Sequence, residues 1–314
     1  MKKPSHPFRT ACACLILLTL FACARQKQSD KFPALKGPYL GLTPPGNTPE
    51  LFPTRISSDL EIDSIPLFAE NGRSLIFKGR RTQDSAVCFM EEKNGTWSKP
   101  RKMFRLSPHE DRHFFLSPDG GRIFFTSRRP LQSGGKETED PNLWVIEINN
   151  FKWGPPQPLP PPINTPNPEF YSTASFSGTL YFSGYSEDSN CDILYSPLEN
   201  GKYTEIRNPG LAINTQYVDG DPYVPPDESY LLFLSNRPGG FGQHDFYISF
   251  RKADGSWTEP VHLDKNINSE ANDVCPLVSP DGRFFFFSSN RTGRYEIYWV
   301  DANEIQKVKP KKLK

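Results

Sequence analysis

The chain is poor in sulfur, with three Met and six Cys among 314 residues. No Cys-x-x-Cys pair occurs, which excludes a zinc ribbon and a thioredoxin-type redox pair. The nucleophile-elbow GxSxG and the zincin HExxH are also missing. Charge of one sign is lacking, because the formal net charge is only +1, and nothing favours nucleic acid as a partner. The mature chain shows no amphipathic helical period of useful length. These absences leave an all-β protein without a recognisable catalytic motif.

The first 22 residues are set apart from the rest. Lys2, Lys3 and Arg9 precede an apolar run, Ala11 to Phe21, that is too short for a stable membrane-spanning helix. The run ends in Leu20-Phe21-Ala22-Cys23, which resembles a bacterial lipoprotein cleavage box with Cys23 as the lipidation site. Acyl chains would anchor the protein, at about 0.8 kcal/mol per buried CH₂. Ala24, rather than Asp, after the cysteine resembles an outer-membrane sorting signal. The expected organisation is a signal peptide at 1–22, a polar tether at 23–46, one domain at 47–303 and a basic tail at 304–314. Removing the leader takes three basic residues and no acidic ones, leaving 34 Lys and Arg against 36 Asp and Glu. Cys88, Cys191 and Cys275 remain, an odd set in three different repeats, and read as strand-packing thiols.

One unit recurs five times. An acid opens it: Asp63, Asp111, Glu169, Asp219 and Asp273. An apolar strand follows, then a tight turn such as Pro118-Asp119-Gly120 or Pro280-Asp281-Gly282, where Pro presets φ and Gly closes the hairpin. The second strand is strongly hydrophobic, as in Phe284-Phe285-Phe286-Phe287. A third strand and a fourth with Trp97, Trp153, Tyr203 or Trp257 complete the unit. A period near 50 residues with four strands per unit predicts a β-propeller. The last unit stops after three strands, and Pro49 to Ser57 reads as an orphan fourth strand. The sequence therefore predicts five four-stranded blades closed by the N-terminal strand, with six blades as the alternative.

The segments LSPDGGRIFFTSRR, SNRPGGFGQHDFYIS, GSWTEPVHL and NINSEANDVCPLVSPDGRFFFFSSNR resemble the WD40-like β-propeller repeat of bacterial envelope proteins, the TolB-like group. The resemblance covers nearly all of residues 38–303. It implies a propeller in the periplasm or at the outer membrane that serves binding or scaffolding. The third repeat departs from the pattern: it lacks Pro-Asp before Gly178, has Tyr203 for Trp, and has Ser186 where others carry Arg.

Strand order puts the five acids at the mouth of the central channel. Arg81, Arg129, Arg237 and Arg291 end the second strands there, and Asp192, Asp245 and Glu296 begin third strands. Two carboxylates about 8 Å apart repel by roughly 2 kcal/mol at an effective dielectric of 20. Each Arg is accordingly expected to bridge the two acids of its unit. Glu169 and Asp192 have no repeat Arg between them, and with Glu187 and Asp188 they form the candidate site for calcium or a cationic or hydroxyl-rich ligand. No other cofactor is expected. Phe241 and Trp144 are candidate surface anchors or inter-blade packing. The expected function is non-catalytic: a monomeric, lipid-anchored envelope scaffold binding a protein partner or a cell-wall glycan at the mouth. The alternative is a carbohydrate-active hydrolase using mouth carboxylates such as Glu169 and Asp219.

Overall fold

The computed structural model describes residues 32–311 apart from 82–83, 107, 150–151 and 186–189, together with the backbone but not the side chains of Arg81, Asp84 and Arg105. The expected signal peptide, Cys23, Ser186, Glu187, Asp188 and the Arg81 side chain thus lie outside what is described. The domain is an all-β propeller. Each repeat runs through antiparallel strands from the acid outward. In the fourth sheet, for example, Asp219–Tyr223, Tyr230–Ser235, Asp245–Phe250 and Val261–His262 lie in sequence order.

Beyond the first repeat, the second strands are mainly apolar because both of their faces are covered. Phe124 and Phe125, Leu231 to Phe233, and Phe284 to Phe287 are essentially inaccessible to water. Their rings pack between sheets; Phe246 meets Phe285 at 5.5 Å and Phe287 at 5.6 Å between ring centres, edge to face. Asp-centred turns close the hairpins on the opposite face. Asp281 Oδ1 accepts from Ser279 Oγ at 2.7 Å and from the Arg283 amide at 3.2 Å, while Gly282 adopts φ 71°.

The blade count differs from the expectation. Among the described residues, four sheets reach four or more strands: the first (residues 55–105), the second (112–158), the fourth (219–262) and the last (273–301 with Glu50–Leu51). The third repeat forms a sheet of only three strands, Glu169–Ala174, Leu180–Tyr185 and Cys191–Ser196. The propeller therefore has four blades, and the expected five, or six, is corrected. The physical cause lies after Ser196. Among the described residues, Leu198–Glu199 and Lys202–Tyr203 pair only with each other, and the backbone that follows pairs with the third strand only at the bridge Tyr195–Arg207. Pro209 and Gly210 then end the extended run.

The N-terminal segment reaches two sheets. Glu50–Leu51 pairs with Trp299 and Tyr298 of the last sheet, whereas Arg55–Ser57 pairs with Leu60–Ile62 of the first. Part of the stretch read as tether is docked: Tyr39 and Leu40 are buried, and Tyr39 Oη donates to Asp281 at 2.7 Å. The Trp97 indole N–H donates to the Gly37 carbonyl at 2.7 Å. The start of the basic tail is also drawn in, since Ile305 is fully buried.

Candidate functional site: the acid-bearing face of the propeller

Three of the five repeat acids form the same buried ion pair. Asp219 and Asp273 are inaccessible to water, and Asp111 nearly so. Arg237 Nη2 donates to Asp219 Oδ1 at 2.6 Å and to the Ile213 carbonyl at 2.7 Å. Arg291 Nη2 repeats this with Asp273 Oδ1 and the Ile267 carbonyl, both at 2.7 Å. Arg129 grips Asp111 with two donors, Nε at 2.9 Å and Nη2 at 2.6 Å. Each guanidinium lies over the ring of the second strand: Phe125 at 5.7 Å, Phe233 at 5.3 Å and Phe287 at 5.2 Å.

The second carboxylate oxygen is held by a residue four positions upstream. Thr215 donates both its amide and its hydroxyl to Asp219 Oδ2 at 2.7 Å. Ser269 does the same for Asp273 Oδ2, at 2.7 and 2.9 Å. The residue before each is an Asn that clasps the preceding sheet. Asn268 accepts from the Phe246 amide at 2.7 Å and donates to the carbonyls of Phe246 and Leu263. Asn214 clasps Ile193, and Asn164 clasps Leu143, in the same way. The sequence reading missed this element, although Ile-Asn-Thr or Ile-Asn-Ser precedes the acid at 163–165, 213–215 and 267–269.

The strand-three acids take other partners than the repeat arginines. Asp245 Oδ2 accepts the amides of Phe241 at 2.7 Å and Gly242 at 3.1 Å. A Cβ on Gly240 would stand 2.0 Å from that oxygen, so this loop is glycine-rich because it wraps a carboxylate. Glu296 pairs with Arg294 at 2.7 Å. Asp192 is buried opposite Gly184 in the third sheet. Trp144 is buried, whereas Phe241 is half exposed and lies 4.8 Å from the His262 ring.

Two acids break the pattern. Asp63 is partly exposed and faces Lys78 at 3.5 Å and Arg80 at 3.6 Å. Glu169 is only 2% exposed, yet among the described residues no cation pairs with it. Thr165 supplies its hydroxyl and, at 3.1 Å, its amide to Oε1, while Oε2 has no hydrogen-bond partner among the described residues. Burial pushes the Glu169 carboxyl up to about 7, against the Thr165 hydrogen bonds, and Asp140 pushes it the same way.

Two residues beyond four of the acids, the backbone turns left-handed at a non-glycine: His113 (φ 51°), Tyr171 (47°), Asp221 (48°) and Cys275 (57°). The inner strands bulge at these positions, and their polar groups close the axis. Tyr171 Oη donates to the Pro276 carbonyl at 2.8 Å, and the Cys275 amide donates to Asp221 Oδ2 at 3.0 Å. Burial raises Asp221 to about 6, and burial with Arg112 and Lys78 lowers His113 to about 4. Composition gave no sign of this cluster, because no glycine marks the left-handed positions.

A cavity of about 800 Å³ opens beside the axis between the first and last sheets. Lys78, Arg80, Arg112 and Arg294 line it, with Asp63 and Glu296, above a floor that includes Tyr171 and Cys275. No group of three or more His, Cys, Asp or Glu placed to hold a metal occurs among the described residues.

No protein-family model and no curated protein matches the chain. Solved structures do. TolB from Acinetobacter baumannii aligns with a TM-score of 0.53 at 13% identity, over 80% of this chain and 54% of that one. The chain thus spans about half the length of that protein. A protein described as TolB from Agrobacterium tumefaciens aligns with a TM-score of 0.51 at 16% identity, over 82% of this chain and 86% of that one. At these identities the likeness is one of fold: the chain shares the TolB-like propeller.

Proposed function

We propose that the protein is a non-catalytic binding propeller of the bacterial envelope, held at the membrane through Cys23, and that the cavity between the first and last sheets receives a segment of a protein partner. The observation that carries this reading is the contrast between the cavity and the repeat acids. The cavity is of ligand size, and its wall carries five cations against three carboxylates, which suits a segment bearing carboxylates. The two acids that the hydrolase alternative would use, Asp219 and Glu169, are both buried away from a substrate. Asp219 is held by Arg237 and Thr215 and is not exposed to a substrate. The TolB-like fold of the neighbours supports an envelope location.

Site-specific photocrosslinking in cells tests the reading. A photoreactive residue in place of Tyr295, half exposed in the cavity wall, is expected to give a discrete protein adduct that Arg112→Glu removes. The same residue in place of Phe176, exposed in a turn of the third sheet, is expected to give none. Adducts of equal yield at both positions, or turnover of a cell-wall glycan by the purified protein, would overturn it.

A further inference from the structure

A second cavity, of about 570 Å³, opens on the face of the hairpin turns, opposite the repeat acids, and reaches between the first and second sheets. It has a filled counterpart one sheet away. Between the last and first sheets the chain docks its own residues 35–41. The Tyr39 ring stands 4.7 Å from the rings of both Phe68 and Phe284. Its amide donates to the Gly72 carbonyl at 2.7 Å. Two residues earlier, the Gly37 carbonyl accepts the Trp97 indole N–H at 2.7 Å, and the Leu35 carbonyl accepts the Trp97 amide at 3.0 Å. Pro38, at φ −55° and ψ 153°, keeps the segment extended between these contacts.

Strand pairing fixes the correspondence between the two places. Ser74 opposes Glu91 as Phe284 opposes Asp301, and Leu116 opposes Ile123 as Phe68 opposes Leu75. Trp153 opposes Ile148 as Trp97 opposes Glu92. Moved on by one sheet, the Tyr39 site of Phe284, Phe68, Gly72 and Trp97 becomes Ser74, Leu116, Gly120 and Trp153. All four line the cavity. Ser74 carries a hydroxymethyl group where Phe284 carries a ring, which leaves room. The two turn glycines show the difference directly. A Cβ on Gly72 would meet the Tyr39 ring at 2.3 Å, whereas one on Gly120 would meet nothing within 4 Å. Trp97 is buried beneath the docked segment; Trp153 is only half buried, and among the described residues no acceptor bonds its indole N–H.

We propose that the cavity between the first and second sheets receives an extended peptide of another protein chain that presents an aromatic side chain, held as the chain's own Tyr39 is held one sheet away. The ring enters between Ser74 and Leu116 over Gly120, and the carbonyl two residues before it accepts from Trp153. An aromatic residue suits the place because the walls are mostly apolar and include Phe89 and Phe115. An extended, proline-bearing backbone suits it because little order is lost when such a segment docks on aromatic rings. This goes beyond the partner segment proposed for the acid-bearing face and stands independently of it.

The test uses the full chain, isotopically labelled at its tryptophan indole nitrogens, and a peptide that copies residues 35–41 and is capped at both ends. The indole N–H signal of Trp153, identified by its loss in Trp153→Phe, is expected to shift saturably with the peptide while that of Trp97 stays in place. The same peptide with Ala in place of its Tyr is expected to give no shift. Ser74→Phe, which puts the ring of Phe284 into the cavity, is expected to abolish the response, and Arg112→Glu to leave it unchanged. The peptide pair decides the matter in the wild type even where the Ser74 variant does not fold. No shift of Trp153, equal shifts with both peptides, or a shift of Trp97 instead, which would mean exchange with the docked segment, would overturn the proposal.

Discussion

Replacing Glu169 with Gln isolates the free-energy cost of a buried carboxylate that no cation among the described residues pairs with. The unfolded residue ionises near 4.5, whereas burial raises the folded residue to about 7. Between these values the folded state binds more protons than the unfolded state, so the Glu169 contribution to stability falls as pH rises. It is neutral below the unfolded value and reaches its full penalty above the folded one. The shift corresponds to about 3 kcal/mol at the plateau. For a domain of this size that is on the order of 5 °C in Tm. His113 works in the opposite sense. Its folded pKa is lowered to about 4, so its contribution rises with pH from 4 to its unfolded value of 6.5. Asp221, raised by burial to about 6, slopes the same way as Glu169, so wild-type stability alone mixes opposed slopes. The difference between wild type and Glu169→Gln does not, because the variant retains His113 and an amide oxygen to accept from Thr165. Urea denaturation at pH 5, 6, 7 and 8 should show the variant gaining on the wild type as pH rises. A difference that stays flat across that range would refute the reasoning.

Arg237→Ala leaves the Asp219 carboxylate buried without its counter-charge and should cost about 3–5 kcal/mol, with part recovered when Asp219→Asn is added; chemical denaturation of the single and double variants measures both. Asn268→Ala strips hydrogen bonds from the Phe246 amide, the Phe246 carbonyl and the Leu263 carbonyl, and should cost about 2–3 kcal/mol in the same assay. Burial pushes the thiols of Cys191 and Cys275 well up. Both should alkylate far more slowly in the native protein than in urea at pH 8, read by mass spectrometry of the peptides.

What could be read in advance was whatever recurs. Asp111 and Arg129, Asp219 and Arg237, and Asp273 and Arg291 stand 18 residues apart, and that constancy marks a shared contact before any coordinate is known. The hydrophobic second strands were legible because a strand covered on both faces has no polar positions to alternate. The missing fourth strand of the third sheet was not. Outer strands of two residues carry little signal of their own, and whether they pair depends on where a loop such as 204–210 finally lies. The left-handed residues at the axis were hidden for a related reason. A bulge belongs to two strands at once, and His113, Tyr171, Asp221 and Cys275 share no chemistry. The expected Arg bridge to the strand-three acids did not form at Asp245, where the Phe241 and Gly242 amides already saturate the inner oxygen.

Repetition and function can be separated on this frame. A contact that recurs in sheet after sheet is required by the sheet, and the buried acid–guanidinium pairs with their Thr or Ser and Asn companions meet that description. Their second role is negative: a carboxylate inside such a pair is unavailable to a ligand. A binding site must therefore arise where the pattern fails, and it fails at two acids. Asp63 leaves the interior and joins the wall of the cavity between the first and last sheets. Glu169 remains inside, and among the described residues one of its oxygens has no hydrogen-bond partner. The first departure exposes charge to a ligand of the cavity, whereas the second leaves its carboxylate covered, so it is the first that offers a ligand a place.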